Sequence, residues 1–293
     1  MDFSARPLVL DGGLSNQLEA AGHDLGGALW SARLLLDEPE AITAAHEAYF
    51  RAGAEVATTA SYQVSFEGFA AAGVEASGTV KALRRSVELA RDAADRVRSG
   101  LLVAASVGPY GAITADGAEY RGRYGLSKAE LTAFHRKRLD VLVAAGPDLL
   151  AVETIPDLDE AEVLAGLVAE YGVPAWLSYT VDGERTRAGQ PLAEAFAVAA
   201  GVERIVATGV NCSSPRDTGA AIGLAARVSG KPVVAYPNSG QSWDAEARTW
   251  RGEPVFAPVR DWVAEGARLI GGCCQVGPER IRELATAVRA FRR

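Results

Sequence analysis

The three cysteines of the chain are the residues with the clearest potential for chemistry. Cys212 follows one short apolar run, and Cys273 and Cys274 follow another, after Gly271 and Gly272. If both runs are parallel strands of one barrel, their carboxyl ends lie on the same face and bring the thiols together. Three thiolates with one open position are typical of a catalytic Zn²⁺ site, whereas structural zinc has four protein ligands. One interpretation of the spacing is therefore a catalytic zinc site.

Two other interpretations of the cysteines remain open from the residues alone. Cysteine is among the most frequently buried residues, so all three can be inert core thiols. The adjacent Cys273 and Cys274 can also form a vicinal disulfide. Neighbouring residues of a regular strand point to opposite faces, so both can bind one metal only if the backbone leaves the strand there. Gly271 and Gly272 make such a turn easy.

Two acidic residues also stand at the ends of apolar runs. Asp11 is followed by Gly12 and Gly13, and Glu153 ends the run DLLAVE. Either carboxylate can act as an acid or base or can hold a cationic group, and Asp11 can instead cap a helix or a turn. The glycine pair offers free backbone N–H groups, which suit a bound carboxylate. The two acids and the two glycines are therefore candidate substrate-binding residues.

Short apolar runs alternate with longer amphipathic segments, and these elements must position the candidates. The short runs are rich in Val, Ile and Leu, as strands buried on both faces are. We predict strands at residues 7–10, 55–61, 101–107, 148–153, 174–179, 205–211, 232–236 and 269–271. We predict helices at residues 38–52, 77–98, 127–145, 157–171, 192–200, 217–228, 255–264 and 278–291. Ser127 and Glu130 form a capping box at the start of the third helix.

Strands that alternate with helices in this way predict an α/β fold, a single-domain (β/α)8 TIM barrel over residues 1–293. A doubly wound open sheet is the weaker alternative, because no Gly-x-Gly-x-x-Gly follows the first strand. The longest irregular stretches, 108–125 and 238–254, follow the third and seventh strands. Loops on that face of a barrel carry function, so we expect both to be lids.

The composition restricts the class of protein. The chain of 293 residues is 48% hydrophobic and 23% charged, with a net charge of −7 and no basic stripe. A nucleic-acid or membrane partner is therefore not expected. No apolar run approaches the roughly 18 residues of a membrane helix, and the first residues lack the pattern of a signal peptide. The odd number of cysteines argues against a disulfide framework, so we expect a cytoplasmic protein.

Motifs at these strand ends resemble the homocysteine S-methyltransferase family. The residues that carry the resemblance are Asp11-Gly12-Gly13, Glu153-Thr154-Ile155-Pro156, Gly209-Val210-Asn211-Cys212, Tyr236-Pro237-Asn238-Ser239-Gly240 and Gly271-Gly272-Cys273-Cys274. The segments GPYG from Gly108 and DGAEYRG from Asp116 are also similar, and the match runs from about residue 7 to 290. The order and spacing of GVNC and GGCC are quite specific. The YPNSG segment resembles the branch that uses S-methylmethionine more than the branch that uses betaine.

The resemblance implies a zinc-dependent barrel in which Cys212, Cys273 and Cys274 bind Zn²⁺. It also implies that Asp11, Gly12, Gly13 and Glu153 surround the amino-acid end of homocysteine. We expect Asn211, which precedes the first cysteine, to contact the substrate as well. These residues are the predicted site: Asp11, Gly12, Gly13, Glu153, Asn211, Cys212, Cys273 and Cys274.

The expected reaction is transfer of a methyl group from a sulfonium donor to homocysteine, which gives methionine. S-Methylmethionine is the expected donor, with S-adenosylmethionine as a second sulfonium. The alternatives are betaine as donor, selenohomocysteine as acceptor, or a non-catalytic metal-binding barrel. The segment Ser213-Ser214-Pro215 departs from the family pattern and leaves the donor open. Aromatic side chains could face the sulfonium, and the loop candidates are Tyr62, Tyr110, Tyr120, Tyr124 and Trp243.

Overall fold

The barrel strands come directly from the apolar runs. A computed structural model describes residues 3–26, 29–114, 116–244, 249–255 and 259–292. Within these residues, parallel strands are numbered β1 to β8 in chain order. They are β1 Leu8–Val9, β2 Val56–Thr58, β3 Leu102–Val107, β4 Leu149–Ile155, β5 Ala175–Tyr179, β6 Ile205–Asn211, β7 Val233–Tyr236 and β8 Ala267–Ile270. Each predicted strand is therefore present, with shifts of a few residues at the ends.

The sheet closes on itself. Consecutive strands pair in parallel from β2 to β8, and β8 pairs with β1 through Leu8 with Leu269 and Val9 with Ile270. A parallel bridge between Leu10 and Val56 joins the first strand to the second. The predicted single-domain (β/α)8 barrel is confirmed, and the open doubly wound sheet is wrong because no edge strand is left between β1 and β2.

Helices connect the strands on the outside of the barrel. The capping box of the helix that begins at Lys128 is present, with Ser127 as its N-cap and Glu130 in its first turn. No helix of the described residues is long and apolar enough to cross a membrane. The helices that correspond to the eight predicted ones are Pro39–Ala52, Ala76–Val97, Lys128–Ala144, Leu158–Tyr171, Leu192–Ala200, Pro215–Ser229, Val259–Ala264 and Pro278–Arg289.

The barrel interior changes character along several strands. Alternate residues face inward, so Leu149, Ala151 and Glu153 of β4 share one face. Leu149 and Ala151 belong to the apolar cluster inside the barrel, together with Trp176 and Val234. In β2 to β5 the inward position beyond this cluster is polar, and the residues are Thr58, Ser106, Glu153 and Ser178. An apolar plug therefore fills the lower barrel and supports a polar layer at the carboxyl ends of the strands.

Several elements were not predicted from the sequence. A helix at Leu14–Ala20 follows β1, and a small hairpin pairs Val181–Asp182 with Arg185–Thr186 after β5. The first predicted lid contains two short 3₁₀ turns, Tyr110–Ile113 and Ala118–Tyr120. The second contains a hairpin of Ser242–Asp244 and Thr249–Arg251, while residues 245–248 lie outside the described residues.

Candidate active site

A cavity of about 1120 Å³ opens at the carboxyl ends of the strands. This is the face on which active sites of (β/α)8 barrels form. Most of the predicted site residues lie in its wall, together with side chains from the loops after β1, β3 and β5. The wall includes Asp11, Gly12, Gly13, Glu19, Trp30, Thr58, Tyr62, Glu119, Tyr120, Glu153, Thr154, Arg187, Cys212, Tyr236, Asn238, Cys273, Cys274 and Gln275.

The three cysteines converge in this wall. The Sγ atoms of Cys212, Cys273 and Cys274 all lie within 4.8 Å of one another. Sulfur ligands about 2.3 Å from one tetrahedral metal ion are about 3.8 Å apart, so the cluster has the size of a metal site. No fourth His, Cys, Asp or Glu joins this group in the described part of the chain. The set is that of a site with one open position.

Two of the sulfurs are paired with each other in the structure. A disulfide joins Cys212 to Cys273, whose Cα atoms are 5.6 Å apart, and Cys274 is free. The vicinal disulfide between Cys273 and Cys274 is therefore not the pairing that forms. Burial raises the pKa of the Cys274 thiol to about 11, so without a metal ion it is protonated at neutral pH. Reduction of the pair and a bound cation are both needed for three thiolate ligands.

The backbone leaves the strand before the adjacent Cys273 and Cys274, as their binding of one metal ion requires. The strand β8 ends at Ile270, and a turn follows in which the Val276 N–H donates to the Cys273 carbonyl at 3.2 Å. A Cβ on Gly271 would collide with Leu10 and the Asp11 carbonyl, and one on Gly272 would collide with Val276. The two glycines therefore let this turn pack against the end of β1.

Gly12 and Gly13 serve the same packing. A Cβ on Gly12 would collide with the Val276 carbonyl, and one on Gly13 would lie 2.7 Å from the Cys273 carbonyl. The expectation that both amides are free is wrong for Gly13, because its N–H donates to the Val276 carbonyl at 3.0 Å. The pair fixes the cysteine turn against β1, and only the Gly12 N–H remains a candidate for a substrate carboxylate.

Asp11 is buried in the cavity wall at the end of β1. Its carboxylate accepts hydrogen bonds from the Thr58 N–H at 2.7 Å and from the Thr58 hydroxyl at 3.1 Å. Burial raises its pKa to about 8, and the nearby Glu153 contributes in the same direction. The carboxyl group therefore gains from any cation that enters the cavity beside it.

Glu153 lies at the inward position of β4, above the apolar plug. It accepts hydrogen bonds from the Ser106 hydroxyl and, at 2.9 Å, from the Tyr236 hydroxyl. Burial raises its pKa to about 7, and these two hydrogen bonds counteract the rise. Ser106 and Tyr236 hold one geometry of the carboxylate, so it is oriented before a substrate arrives.

Asn211 does not line the cavity, contrary to the expectation that it contacts the substrate. Its amide oxygen accepts from the Thr154 N–H at 2.7 Å and from the Ser178 hydroxyl at 2.9 Å. Its amide nitrogen donates to the Thr154 hydroxyl at 2.7 Å. The amide oxygen and one amide hydrogen are thus engaged inside the barrel, where they tie the end of β4 to β6.

Comparison with known proteins decides the family. Residues 8–288 match the family described as homocysteine S-methyltransferase. The chain belongs to this family. The Escherichia coli homocysteine S-methyltransferase is 46% identical over 94% of this chain and 94% of its own. A selenocysteine Se-methyltransferase of Brassica oleracea var. italica is 38% identical over 94% of this chain and 87% of its own.

Solved structures of one relative agree with this fold. The homocysteine methyltransferase MmuM from Escherichia coli, in its metallated form, has a TM-score of 0.85 at 42% identity. The match covers 97% of this chain and 96% of that one. Its oxidized form has a TM-score of 0.86 over the same shares. The enzyme is therefore a homocysteine S-methyltransferase with a cysteine triad, and a relative with this fold binds a metal.

Strained backbone concentrates at the cavity of this methyltransferase. Among the residues that the structure describes, five other than glycine have positive φ, and Trp30, Thr154, Cys212 and Gln275 are four of them. All four belong to the cavity wall. Such conformations cost about 1–3 kcal/mol each and persist where the surroundings enforce them. At Thr154 the contacts of Asn211 do so, and at Gln275 the N–H donates to the Asn16 side chain at 2.7 Å.

The aromatic candidates separate into two groups. Tyr62 and Tyr120 line the cavity. Tyr110 and Tyr124 instead pack against each other, with ring centroids 5.3 Å apart, and Tyr110 also packs on Phe134. The side chain of Trp243 lies outside the described residues. Two of the five candidate aromatic residues therefore lie where they can contact a sulfonium bound in the cavity.

The sequence analysis did not predict four residues of the site. Two of them are the hydrogen-bond partners of Glu153, and two are charged residues on loops of the cavity wall. Ser106 and Tyr236 come from β3 and β7, and Glu119 and Arg187 come from loops. Tyr236 and Ser106 were accessible to the same argument that found Glu153, since all three face inward near the ends of strands. Glu119 and Arg187 have no such signal, because loop residues follow no strand periodicity.

Proposed function

We propose that the enzyme transfers a methyl group from a sulfonium donor to homocysteine, with Zn²⁺ held by Cys212, Cys273 and Cys274. The donor is S-methylmethionine, with S-adenosylmethionine as a second sulfonium that has the same amino-acid end. One observation carries the proposal. Three sulfur atoms within 4.8 Å of one another lie in the same cavity wall as two buried carboxylates, Asp11 and Glu153.

The donor set suits zinc. Thiolates are soft ligands that favour zinc over magnesium or calcium, and three of them leave a position for a substrate sulfur. Zinc in this site supplies the positive charge that keeps a substrate thiol ionised at neutral pH, where a free thiol of pKa near 8.5 is mostly protonated. Because the site needs reduced cysteines, the proposal includes the cytoplasm as the compartment of action.

The chain binds the amino-acid end of homocysteine through groups in the same wall. Glu153 pairs with the ammonium group, and Ser106 and Tyr236 keep its carboxylate pointing at it. Asp11 adds a second negative charge beside it, while the Gly12 N–H is available for the substrate carboxylate. The raised pKa values of Glu153 and Asp11 support this role, because an ammonium group restores the charged form that burial disfavours.

The methyl transfer itself needs alignment more than acid or base catalysis. The homocysteine sulfur forms a bond to the methyl carbon while the bond from that carbon to the donor sulfonium breaks. The products are methionine and a neutral thioether, and no proton moves to the protein. The chain contributes by holding both substrates in one cavity, and the rings of Tyr62 and Tyr120 offer faces to the sulfonium, worth about 0.5–2 kcal/mol each.

A selenol acceptor is a second candidate, because one relative is named a selenocysteine Se-methyltransferase. A selenol ionises and attacks a methyl carbon as a thiol does, so selenohomocysteine would occupy the same position. Nothing in the cavity wall distinguishes the two elements by hydrogen bonding. The two acceptors therefore belong in one assay.

The test is a donor and acceptor assay on reduced, zinc-loaded protein. Homocysteine is incubated with methyl-labelled S-methylmethionine, and labelled methionine is quantified, with S-adenosylmethionine and betaine as parallel donors and selenohomocysteine as parallel acceptor. We expect labelled methionine from the sulfonium donors and none from the same protein stripped of metal. Absence of product from every donor, with zinc confirmed in the protein, would overturn the proposed reaction.

A further inference from the structure

Four carboxylates line the cavity, and three of them have hydrogen-bond partners. Asp11 is bonded to Thr58, and Glu153 to Ser106 and Tyr236. Glu19 accepts from the Asn16 side chain at 3.2 Å. The fourth is Glu119, whose Oε2 atom is buried and has no hydrogen-bond partner among the described residues. A buried carboxylate oxygen without a partner in a ligand cavity is a position for a donor on the ligand.

Glu119 stands on a loop whose conformation is already fixed. The Asp116 carboxylate accepts from the Ala118 N–H at 3.1 Å and pairs with the Arg121 guanidinium at 2.7 Å. The Tyr110 N–H donates to the Glu160 carboxylate at 2.6 Å, which attaches the loop to the outer helices. Arg121 is therefore engaged with Asp116, although its charge also lowers the pKa of Glu119, and Glu119 lines the cavity without a hydrogen bond to Arg121 among the described residues.

The charge of Glu119 acts on the centre of the cavity. It contributes to the raised pKa values of Tyr62, Tyr120 and Cys274. Burial is also the main cause of the raised pKa of Glu119 itself. An arriving cation would therefore favour the charged form of Glu119, which burial disfavours.

Arg187 is the one Lys or Arg side chain in the described wall of the cavity. Its side chain is 32% exposed, and its one ion pair within the described part of the chain is a 3.9 Å contact to Asp182, which is itself 79% exposed. The charge of Arg187 lowers the pKa of Tyr120, so Arg187 and Glu119 both act on the same ring. The outer cavity thus holds a carboxylate, Glu119, with an unpaired oxygen and a guanidinium, Arg187, with only a distant ion-pair partner among the described residues.

We propose that Glu119 and Arg187 bind the α-amino-acid group of the sulfonium donor. Glu119 accepts hydrogen bonds from the donor ammonium, Arg187 binds the donor carboxylate, and the sulfonium lies beside Tyr62 and Tyr120. This rests on the proposed function for the identity of the reaction. It adds the two residues that select sulfonium donors carrying a free amino acid.

The proposal predicts discrimination against donors without an N–H group. Betaine and dimethylsulfoniopropionate carry a carboxylate and an onium centre, but neither can donate a hydrogen bond to Glu119. A buried acceptor left unpaired costs enough to reject such a donor by at least about tenfold. S-Methylmethionine and S-adenosylmethionine have the same amino-acid end and pay no such penalty.

The first test uses Glu119→Gln with two donors, S-methylmethionine and dimethylsulfoniopropionate. We expect kcat/KM for S-methylmethionine to fall by about tenfold to a hundredfold, because the amide lacks the charge that holds an ammonium group. The value for dimethylsulfoniopropionate and the KM for homocysteine should change by less than about twofold. Glu67→Gln is the matched control, since Glu67 lies outside the cavity wall and pairs with Lys137 at 2.7 Å, and it should change none of these values.

The second test uses Arg187→Gln with S-methylmethionine and its methyl ester, which has no carboxylate. The variant should weaken the acid by about tenfold and leave the ester unchanged. Arg185→Gln, on the same hairpin but outside the cavity wall, is the control. A role in loop structure alone would weaken every donor equally, and that result would overturn the proposal.

Direct binding separates this proposal from the proposed reaction. S-Methylmethionine is titrated into reduced protein without homocysteine, where no transfer can occur, and its Kd is compared between the wild type and Glu119→Gln. An unchanged Kd and an unchanged donor KM would overturn the donor site while the reaction stands. A Kd that rises by about tenfold supports the donor site even if the assay yields no methionine.

Discussion

The floor and the rim of the cavity are built on different principles. The floor consists of Asp11, Glu153, Cys212, Cys273 and Cys274, which stand at or just beyond the ends of barrel strands. The rim consists of Glu119, Tyr120 and Arg187, which stand on the loops after β3 and β5. Floor carboxylates have hydrogen-bond partners in the protein, whereas Glu119 of the rim has a buried oxygen without one.

The floor is therefore a preorganised subsite, whereas the rim has polar groups that a ligand can still pair with. In the floor, the polar groups of the protein fix Glu153 and Asp11 before substrate binds, so little ordering is left for homocysteine to impose. In the rim, Glu119 and Arg187 have no close ion-pair partner among the described residues, and in our proposal a zwitterionic ligand supplies both partners. Changes in the floor should therefore affect the metal and homocysteine, and changes in the rim should affect the donor.

The largest effect is expected from Cys274→Ser. Serine oxygen is a poor substitute for a soft thiolate, so zinc content and methionine formation should fall together by more than about a hundredfold. This loss exceeds the roughly tenfold to hundredfold loss that follows when a residue hydrogen-bonded to a metal ligand is removed. Metal analysis and the labelled-methyl assay measure the two quantities. Activity that persists without bound zinc would break the assignment of the floor as a metal site.

Glu153→Gln should be next in size. The amide keeps the shape but loses the charge that pairs with the homocysteine ammonium, and such a loss is worth about 2 kcal/mol or more, or roughly thirtyfold in kcat/KM for homocysteine. The KM for S-methylmethionine should stay close to the wild-type value. Steady-state kinetics with each substrate varied in turn measures kcat/KM for homocysteine and the KM for S-methylmethionine. An effect on the S-methylmethionine KM alone would contradict the assignment of the floor to homocysteine.

The pH profile sharpens the same point. The pKa of Glu153 is raised to about 7, and only the ionised form attracts an ammonium group. Therefore kcat/KM for homocysteine should rise as the pH increases through about 7, with a slope near tenfold per unit on the acid side. In Glu153→Gln this limb should be absent. An identical limb in the variant would assign it to another group.

Tyr236→Phe should give the smallest kinetic effect and a shift in that profile. The Tyr236 hydroxyl donates to Glu153 at 2.9 Å and thereby lowers the pKa of Glu153. Without this hydroxyl the pKa of Glu153 should rise, so the acid limb should move to higher pH. Tyr179→Phe is the matched control, because its hydroxyl donates to the Ala195 carbonyl at 2.7 Å on the outside of the barrel. Both variants should lose about 1–3 kcal/mol of stability, but only the first should move the limb.

Sequence reasoning was sound where a periodic pattern carries the information. Buried parallel strands are continuous apolar runs, so the order of the barrel was legible, and β6 and the helix Leu192–Ala200 were predicted with the observed bounds. The carboxyl ends of those strands then gave Asp11, Glu153 and the cysteines. The helix Leu14–Ala20 was missed because it follows β1 directly without a side-chain cap.

Two sequence interpretations failed because they concern hydrogen bonds between distant segments. Asn211 looked like a substrate ligand, yet it satisfies Thr154 and Ser178 inside the barrel. Gly13 looked like a free amide, yet Val276 accepts its N–H. A polar residue at a strand end can face a ligand or a neighbouring strand, and the choice depends on which partner the closed barrel brings beside it.

The sequence by itself determined the barrel, the face on which its chemistry lies, and the three cysteines with their neighbouring acids. These follow from hydrophobic periodicity and from the fixed direction of parallel strands, which are local properties of the chain. Only the tertiary structure decided three other facts. They are that the Tyr236 hydroxyl donates to Glu153, which two cysteines are paired in this structure, and that Glu119 and Arg187 line the cavity. Those facts depend on how loops far apart in sequence meet above a closed barrel, and no local pattern encodes that meeting.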